Sequence, residues 1–353
     1  MELPDPVDLA IPAFVLLVLA EMVVARLKDR RRYCPKDTLT SLGLGFGSSI
    51  AGILSAGLVF ALATSLHQFR LFDIGYAWWA FALCFLLDDL AYYAFHRSAH
   101  RVRWFWASHV IHHSSQHYNL STALRQTWTG FFSLNFLFRM PLFLIGFPPA
   151  LVFFCAGVNL VYQFWIHTEA IARLPRWFEA VMNTPSHHRV HHAVNARYLD
   201  RNYAGMFIVW DRMFGTFEPE RDDERPRYGL VRQLGSFNLV WAAFHEWVGI
   251  ARDLWTAPGW RNKLGYVIRE PGWSHDGSRE TSETIRARWR AGGGDAAIAR
   301  SEATKQSSDT ELGAAGLPRY ARNDAGVAFK RCNSASIPVA ASAPCRACRS
   351  TTP

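Results

Sequence analysis

Eight histidines fall into three patterns. His96 and His100 form HxxxH, while His109, His112 and His113 form HxxHH. His188, His191 and His192 form a second HxxHH, with His187 directly before it. Clustered imidazolium charges would repel, whereas neutral imidazole is a ligand for iron, zinc and copper. On a helix, residues three and four apart share a face, so His96 and His100 can grip one metal side by side. In each HxxHH the first histidine aligns with both later ones, while the adjacent pair diverges by about 100° of rotation. Such a triplet can hand one ligand to one metal and another to a second. Eight imidazoles exceed the four ligands of a structural zinc. They suit two metals with open positions.

Ligating histidines usually donate their other ring N–H to an acceptor. Asp89, seven residues before His96 and two helical turns back on the same face, is the first candidate for that support; Asp88 is the weaker one. His167, in QFWIHTE, reads as a ligand or a supporting group. Glu169 and His187 are further support candidates, followed by Asn119, Asn195 and Asp200. His117 belongs to the flank of its triplet rather than to the metal. His67, His245 and His275 read as isolated polar residues.

The elements that must position these residues are apolar. Half of the 353 residues are hydrophobic, 14 are Trp and 25 are Phe, and the net charge is +9. The basic residues border apolar runs instead of forming a polar face, which argues for a membrane and against nucleic acid. Residues 9–24 are almost wholly apolar, and Arg26, Lys28, Arg30, Arg31 and Arg32 follow. That order is the reverse of a cleaved signal peptide; it predicts an uncleaved first span ending in the cytoplasm. Residues 41–66 predict a second span, with Gly43, Gly45, Gly47, Gly52 and Gly57 for close helix packing in lipid, and residues 75–93 a third. Residues 131–147 and 151–165, split by Pro148 and Pro149, predict a hairpin that enters and leaves from one side. This topology gathers the dense histidine groups on the cytoplasmic face. Trp104, Trp106, Trp128 and Trp165 suit interfacial anchoring. Cys345 and Cys348 form a lone CxxC with too few partners for a zinc site.

The pattern HxxxH, HxxHH, HxxHH between apolar hairpins, with NTPSHHRVHHAVNARYLDRNYAGMFIVWDRMFGTFEPE after the second hairpin, resembles the fatty acid hydroxylase/sterol desaturase superfamily of membrane di-iron oxygenases. The resemblance spans roughly residues 75–220. HHSSQHYNLSTALRQ, YQFWIHTE and NTPSHHRVHH are most similar to its alkylglycerol monooxygenase branch and bacterial relatives. Two departures are Arg101 after His100, where that branch implies a carboxylate, and Ala193 in place of a glycine.

The resemblance implies two non-haem iron ions held by His96, His100, His109, His112, His113, His188, His191 and His192. It also implies O2-dependent hydroxylation or desaturation of a membrane lipid, with alkylglycerol-ether cleavage as the finer expectation. No Rossmann-like, haem or iron–sulfur motif is present, so electrons are expected from a separate electron-transfer protein or a pterin; the branch implies tetrahydrobiopterin. The rival reading is a membrane metal transporter or storage protein. Transport sites favour interrupted helices near the bilayer midplane, whereas these histidines flank the spans.

The expected fold is an all-α integral membrane bundle of four to five transmembrane helices under a cytoplasmic, histidine-rich di-metal cap. Residues 1–74 supply N-terminal spans, 75–220 the catalytic domain, 221–273 an amphipathic extension and 274–353 a disordered tail. An arginine-rich, lysine-poor chain points to a bacterial inner membrane rather than the endoplasmic reticulum.

Overall fold

A computed structural model describes residues 3–28 and 32–293. Asp5 caps the first helix, α1 (Pro6–Leu27), by accepting from the Val7 N–H at 2.8 Å. Pro35 opens α2 (Pro35–His67), where a missing N–H costs nothing, and α3 (Trp78–Arg101) follows. These three helices are long and apolar enough to cross a membrane. Apolar side chains such as Leu16, Leu19, Ile53 and Leu54 point away from the protein, as lipid-facing helices require. Arg32, before α2, lies at the histidine end: its carbonyl accepts from Asn119 at 2.8 Å, and Asp37 accepts from Ser115 at 2.6 Å.

Val102, in extended conformation, ends α3 and starts α4 (Arg103–His113). The corner turns the chain back so that His109 and His113 face His96 and His100. Arg103 pins it, donating to Glu246 at 2.6 Å and Asp253 at 2.5 Å. A capping box on Asn119 forms the short α5 (Leu120–Ala123).

The fourth apolar run is not a continuous helix. Leu134 adopts a left-handed conformation (φ 59°), Asn135–Arg139 forms a 3-10 turn, and Pro141 opens α6 (Met140–Ile145). Arg139, at the end of the 3-10 turn, meets buried Asp88 at 2.6 Å and ties the segment to α3. The fifth run is α7 (Pro149–Trp165). Its 17 residues reach about 26 Å at 1.5 Å per residue, short of the roughly 30 Å hydrocarbon core. The described residues thus hold three candidate spans plus two shorter apolar segments, against the four to five spans expected.

The three N-terminal glycines of α2 do not pack against other spans. A Cβ at Gly45 would lie 2.5 Å from the Leu124 carbonyl, and one at Gly47 would lie 2.3 Å from the Trp128 ring. Gly45 and Gly47 admit the histidine-side loop instead, whose Trp128 donates to the Leu44 carbonyl at 2.9 Å, while Gly43 faces the Leu239 side chain. Gly52 and Gly57 face open space.

Short helices complete the histidine end: α8 (Arg176–Glu179), α9 (Pro185–His191) and α10 (Val209–Met213). Beside them lie α11 (Leu239–Thr256) and α12 (Gly259–Ile268). Part of the expected tail is folded: α13 (Ser282–Arg288) has a capping box on Thr281 and buries Ile285 against Ala196 and Leu199. Local capping and one apolar contact outweigh its polar composition. The CxxC of Cys345 and Cys348, and the rest of the expected tail beyond residue 293, lie outside the described residues.

Candidate metal centre

The eight patterned histidines and His167 converge at the end of α3 in two groups. His96, His100, His109, His113 and His191 form one; His112, His167, His188 and His192 form the other. Helix geometry makes the division. In α4, His109 and His113 are one turn apart and serve the first group, while His112 points to the second. In α9 the roles invert: His188 and His192 serve the second group, and His191 crosses to the first.

The facing nitrogens are close. In the first group, Nε2 of His109 lies 2.9 Å from that of His96 and 3.0 Å from that of His113, and His113 and His191 are 3.2 Å apart. In the second, His167 lies 3.1 Å from His112 and 3.0 Å from His188, with His188 and His192 3.2 Å apart. Adjacent nitrogens at right angles about a cation 2.1 Å away would be roughly 3 Å apart. The spacing therefore fits a metal.

The opposite ring nitrogens fix the tautomers. Nδ1 of His96 donates to the Tyr203 carbonyl (2.7 Å), that of His112 to the Arg125 carbonyl (3.2 Å), that of His167 to the Gln163 carbonyl (2.7 Å) and that of His191 to the Arg201 carbonyl (3.0 Å). Each such ring turns a bare Nε2 lone pair inward. Nδ1 of His100 meets Asp200 at 3.3 Å, leaving its buried Nε2 without a protein partner. Facing lone pairs and an orphaned buried nitrogen are the complement of a cation.

Protonation cannot replace the cation. Burial, reinforced mostly by neighbouring imidazoles, pushes His109, His113, His167, His188, His191 and His192 well below the usual histidine value. Burial brings His112 down to about 4. Burial alone would raise the Asp200 carboxyl, but the His100 hydrogen bond and the Arg286 and Arg101 charges outweigh it and hold the pKa below the carboxylate norm. Arg101 also pairs with Glu270 at 3.4 Å and Glu283 at 3.6 Å.

Several expected supports lie elsewhere. Asp89 touches no histidine. It accepts the Met206 and Phe207 N–H groups at 2.7 and 3.0 Å and the Trp210 indole at 2.8 Å. It thereby anchors the loop whose Tyr203 carbonyl holds His96. With the Asn159 amide at 2.9 Å, four N–H groups claim the carboxylate. Asp88 pairs with Arg139. Glu169 accepts from Tyr228 at 3.1 Å. His187 points away from both groups, against Phe217, and His117 joins neither. Asn119 caps α5, and Asn195 holds Arg225 and Arg227. Trp106 packs over His100 and His113, ring centroids 5.1 and 5.6 Å away, while Trp128 fills the glycine gap of α2.

Other positioning residues carry no spacing signal. Asp37 in α2 binds buried Arg125 at 2.9 Å, fixing the segment whose carbonyl holds His112. Glu21, buried in α1, accepts from the Leu120 N–H at 2.8 Å and from Thr168 beside His167. Asp211 receives the Tyr203 and Ala204 N–H groups at 2.9 and 2.8 Å.

Comparison with known proteins places this geometry. Residues 81–216 match the family model described as fatty acid hydroxylase. Alkylglycerol monooxygenase of Danio rerio is 41% identical over 279 residues, covering 77% of this chain and 61% of the relative. The Homo sapiens protein of that name is 40% identical over 275 residues, covering 77% and 61%. Human cholesterol 25-hydroxylase is 29% identical over 143 residues, covering 38% of this chain and 49% of the relative. The chain thus spans about 61% of the length of the alkylglycerol monooxygenases it matches. No solved structure matches.

Proposed function

The chain belongs to the fatty acid hydroxylase superfamily, and from that premise we propose that it is a membrane-bound di-iron oxygenase that hydroxylates a C–H bond of a lipid with O2. The observation that carries this reading is the division of nine imidazoles, eight buried and His109 half-buried, into two groups with inward-facing Nε2 atoms about 3 Å apart. His96, His100, His109, His113 and His191 would hold one iron; His112, His167, His188 and His192 would hold the other. The names of the relatives support alkylglycerol ethers as the substrate class. Bound iron would supply O2 activation and removal of hydrogen from an unactivated carbon.

The chain's own residues then have definite tasks. The Tyr203, Arg125, Gln163 and Arg201 carbonyls, with Asp200, keep five of the rings oriented: His96, His112, His167, His191 and His100. Burial keeps His109, His112, His113, His167, His188, His191 and His192 neutral, so protons near neutral pH do not compete for these ligands. Tyr118 and Trp106 pack against the rings and exclude water. The spans bring a lipid laterally to a site on the cytoplasmic side of a bacterial inner membrane. Hydroxylation consumes one O2, two electrons and two protons, and yields the hydroxylated carbon and one water. At an ether-linked carbon the product is a hemiacetal, which collapses to an aldehyde and the free glycerol hydroxyl. The electrons come from a separate electron-transfer protein or a pterin, with tetrahydrobiopterin as the donor the alkylglycerol reading favours.

The test is to incubate membranes containing the protein with 1-O-hexadecylglycerol, O2 and a reduced pterin and to follow the lipids by mass spectrometry. Loss of the ether with matching hexadecanal supports the reading. An intact ether with an added oxygen, or a new double bond, on another lipid would retain the oxygenase and reject the substrate. No oxidation of any lipid by iron-loaded protein would reject the oxygenase.

A further inference from the structure

A second cavity lies outside the histidine groups. Arg173, Arg176, Arg212, Ser186 and His187 line a pocket of about 610 Å3 against α8 and α10. Two carboxylates in its wall are occupied by the protein. Glu220 forms a two-point ion pair with Arg189 (2.9 and 2.6 Å), and Glu179 accepts from the Leu174 N–H and the Thr184 and Ser186 hydroxyls. The arginines are less fully engaged. Arg173 donates to the Glu220 carbonyl and pairs with exposed Asp222, Arg212 donates to the Glu179 carbonyl and stacks on Phe217, and Arg176 stands exposed. His187 is 3% exposed and its Nδ1 has no partner. Arginine forks match the geometry of a phosphate.

The setting is the membrane surface. Beside the arginines, Trp177 is 74% exposed and Met213 is 69% exposed. Phe214 stacks on Tyr93 near the histidine end of α3, ring centroids 5.3 Å apart. Tyr162, near the end of α7, donates to the Asn183 carbonyl at 2.6 Å. The pocket thus opens where two apolar helices emerge, the level at which aromatics and basic residues meet lipid headgroups.

A separate apolar groove lies along α3. Phe81, Ala82, Phe85 and Leu86 of α3 line this groove together with Phe207. Phe207 is bridged to Met182, two residues from the pocket residue Ala180, and lies five residues before Arg212. The groove runs along α3 away from His96, and buried Asp89 stands between them in sequence. It leads away from the histidines rather than into them.

We propose that pocket and groove form one accessory site for an anionic glycerophospholipid: the arginines take the phosphate and the groove takes an acyl chain. The site is separate from the hydroxylation chemistry and does not depend on its assignment.

The experiment uses the full chain purified in an uncharged detergent. Native mass spectrometry counts retained phospholipid, and thermal unfolding is followed with added phosphatidylglycerol, diacylglycerol or inorganic phosphate. One phosphatidylglycerol per chain and a rise in midpoint of about 5 °C are expected. Arg176→Gln with Arg212→Gln should remove most of the rise, and Ala82→Trp, which fills the groove, should remove it independently. An equal rise in both variants, or with diacylglycerol, would overturn the site. The full rise with inorganic phosphate alone would overturn the lipid as its occupant. The count on the unmodified chain stands even if a variant fails to fold, and absence of retained phospholipid contradicts the proposal.

Discussion

Nε2 of His112 and Nε2 of His167 face each other at 3.1 Å, although Nδ1 of each ring already donates to a carbonyl. Two lone pairs directed at one point are repulsive unless a cation lies between them. Replacing His167 by Ala should therefore lower bound iron from about two per chain toward one and abolish lipid oxidation, with helical content unchanged by circular dichroism. His117→Ala should alter neither, because His117 belongs to neither group. Full iron and activity in His167→Ala would remove it from the ligand set.

Asp200 contacts Nδ1 of His100 at 3.3 Å and is itself held by Arg101. Groups behind a metal-bound histidine typically contribute 10–100-fold to metal affinity or activity. Asp200→Ala should weaken iron retention by about that factor, read from iron loss against a chelator. Asp89→Asn, which touches no histidine, should act through protein stability instead, lowering the unfolding midpoint. The reverse pattern would exchange their roles.

Acid should destabilise the iron-free protein. His109, His113, His167, His188, His191 and His192 have folded pKa values well below the ordinary 6.5, and His112 comes down to about 4. Between those values the unfolded chain binds more protons than the folded one. Stability is whole above pH 6.5 and is lost as pH falls through the window. A shift from 6.5 to about 4 corresponds to about 3 kcal/mol for His112 alone. The unfolding midpoint of chelator-treated protein should fall steadily from pH 7 to pH 5, and iron loading should flatten the dependence. A midpoint indifferent to pH would show that the histidines are not buried neutral.

Arg125 and Asp37 form a buried ion pair, 2% and 6% exposed, and the Arg125 carbonyl holds His112. Removing one partner of such a pair strands the other charge, at a cost of about 3–5 kcal/mol. Arg125→Met should destabilise by that amount, and Asp37→Asn in the same chain should restore most of it, measured by thermal unfolding. Additive losses in the double variant would mean that the pair is not coupled.

Much of the centre was legible because helix periodicity is local. HxxHH states that the first histidine aligns with both later ones and that the adjacent pair diverges; in α4 and α9 the first pairs with the last, with opposite assignments. The three long apolar runs likewise declare their helices. What local pattern does not carry is competition among distant groups. Asp89 had the correct face but was taken by N–H groups more than a hundred residues later. The fourth apolar run breaks at left-handed Leu134, and its Arg139 pairs with buried Asp88 of α3. The glycines of α2 signalled close approach, yet only the folded chain shows that Leu124 and Trp128 make it. His167 lacked a partner histidine at helical spacing; it joins the second group because α7 ends beside α9.

The most direct measurement is the metal content of the purified chain together with its absorption spectrum. The account predicts about two irons per chain with no haem band. It further predicts that His109→Ala and His188→Ala each lower the content, whereas His117→Ala leaves it at two. A single metal per chain, a haem spectrum, or full iron in either ligand variant would contradict it.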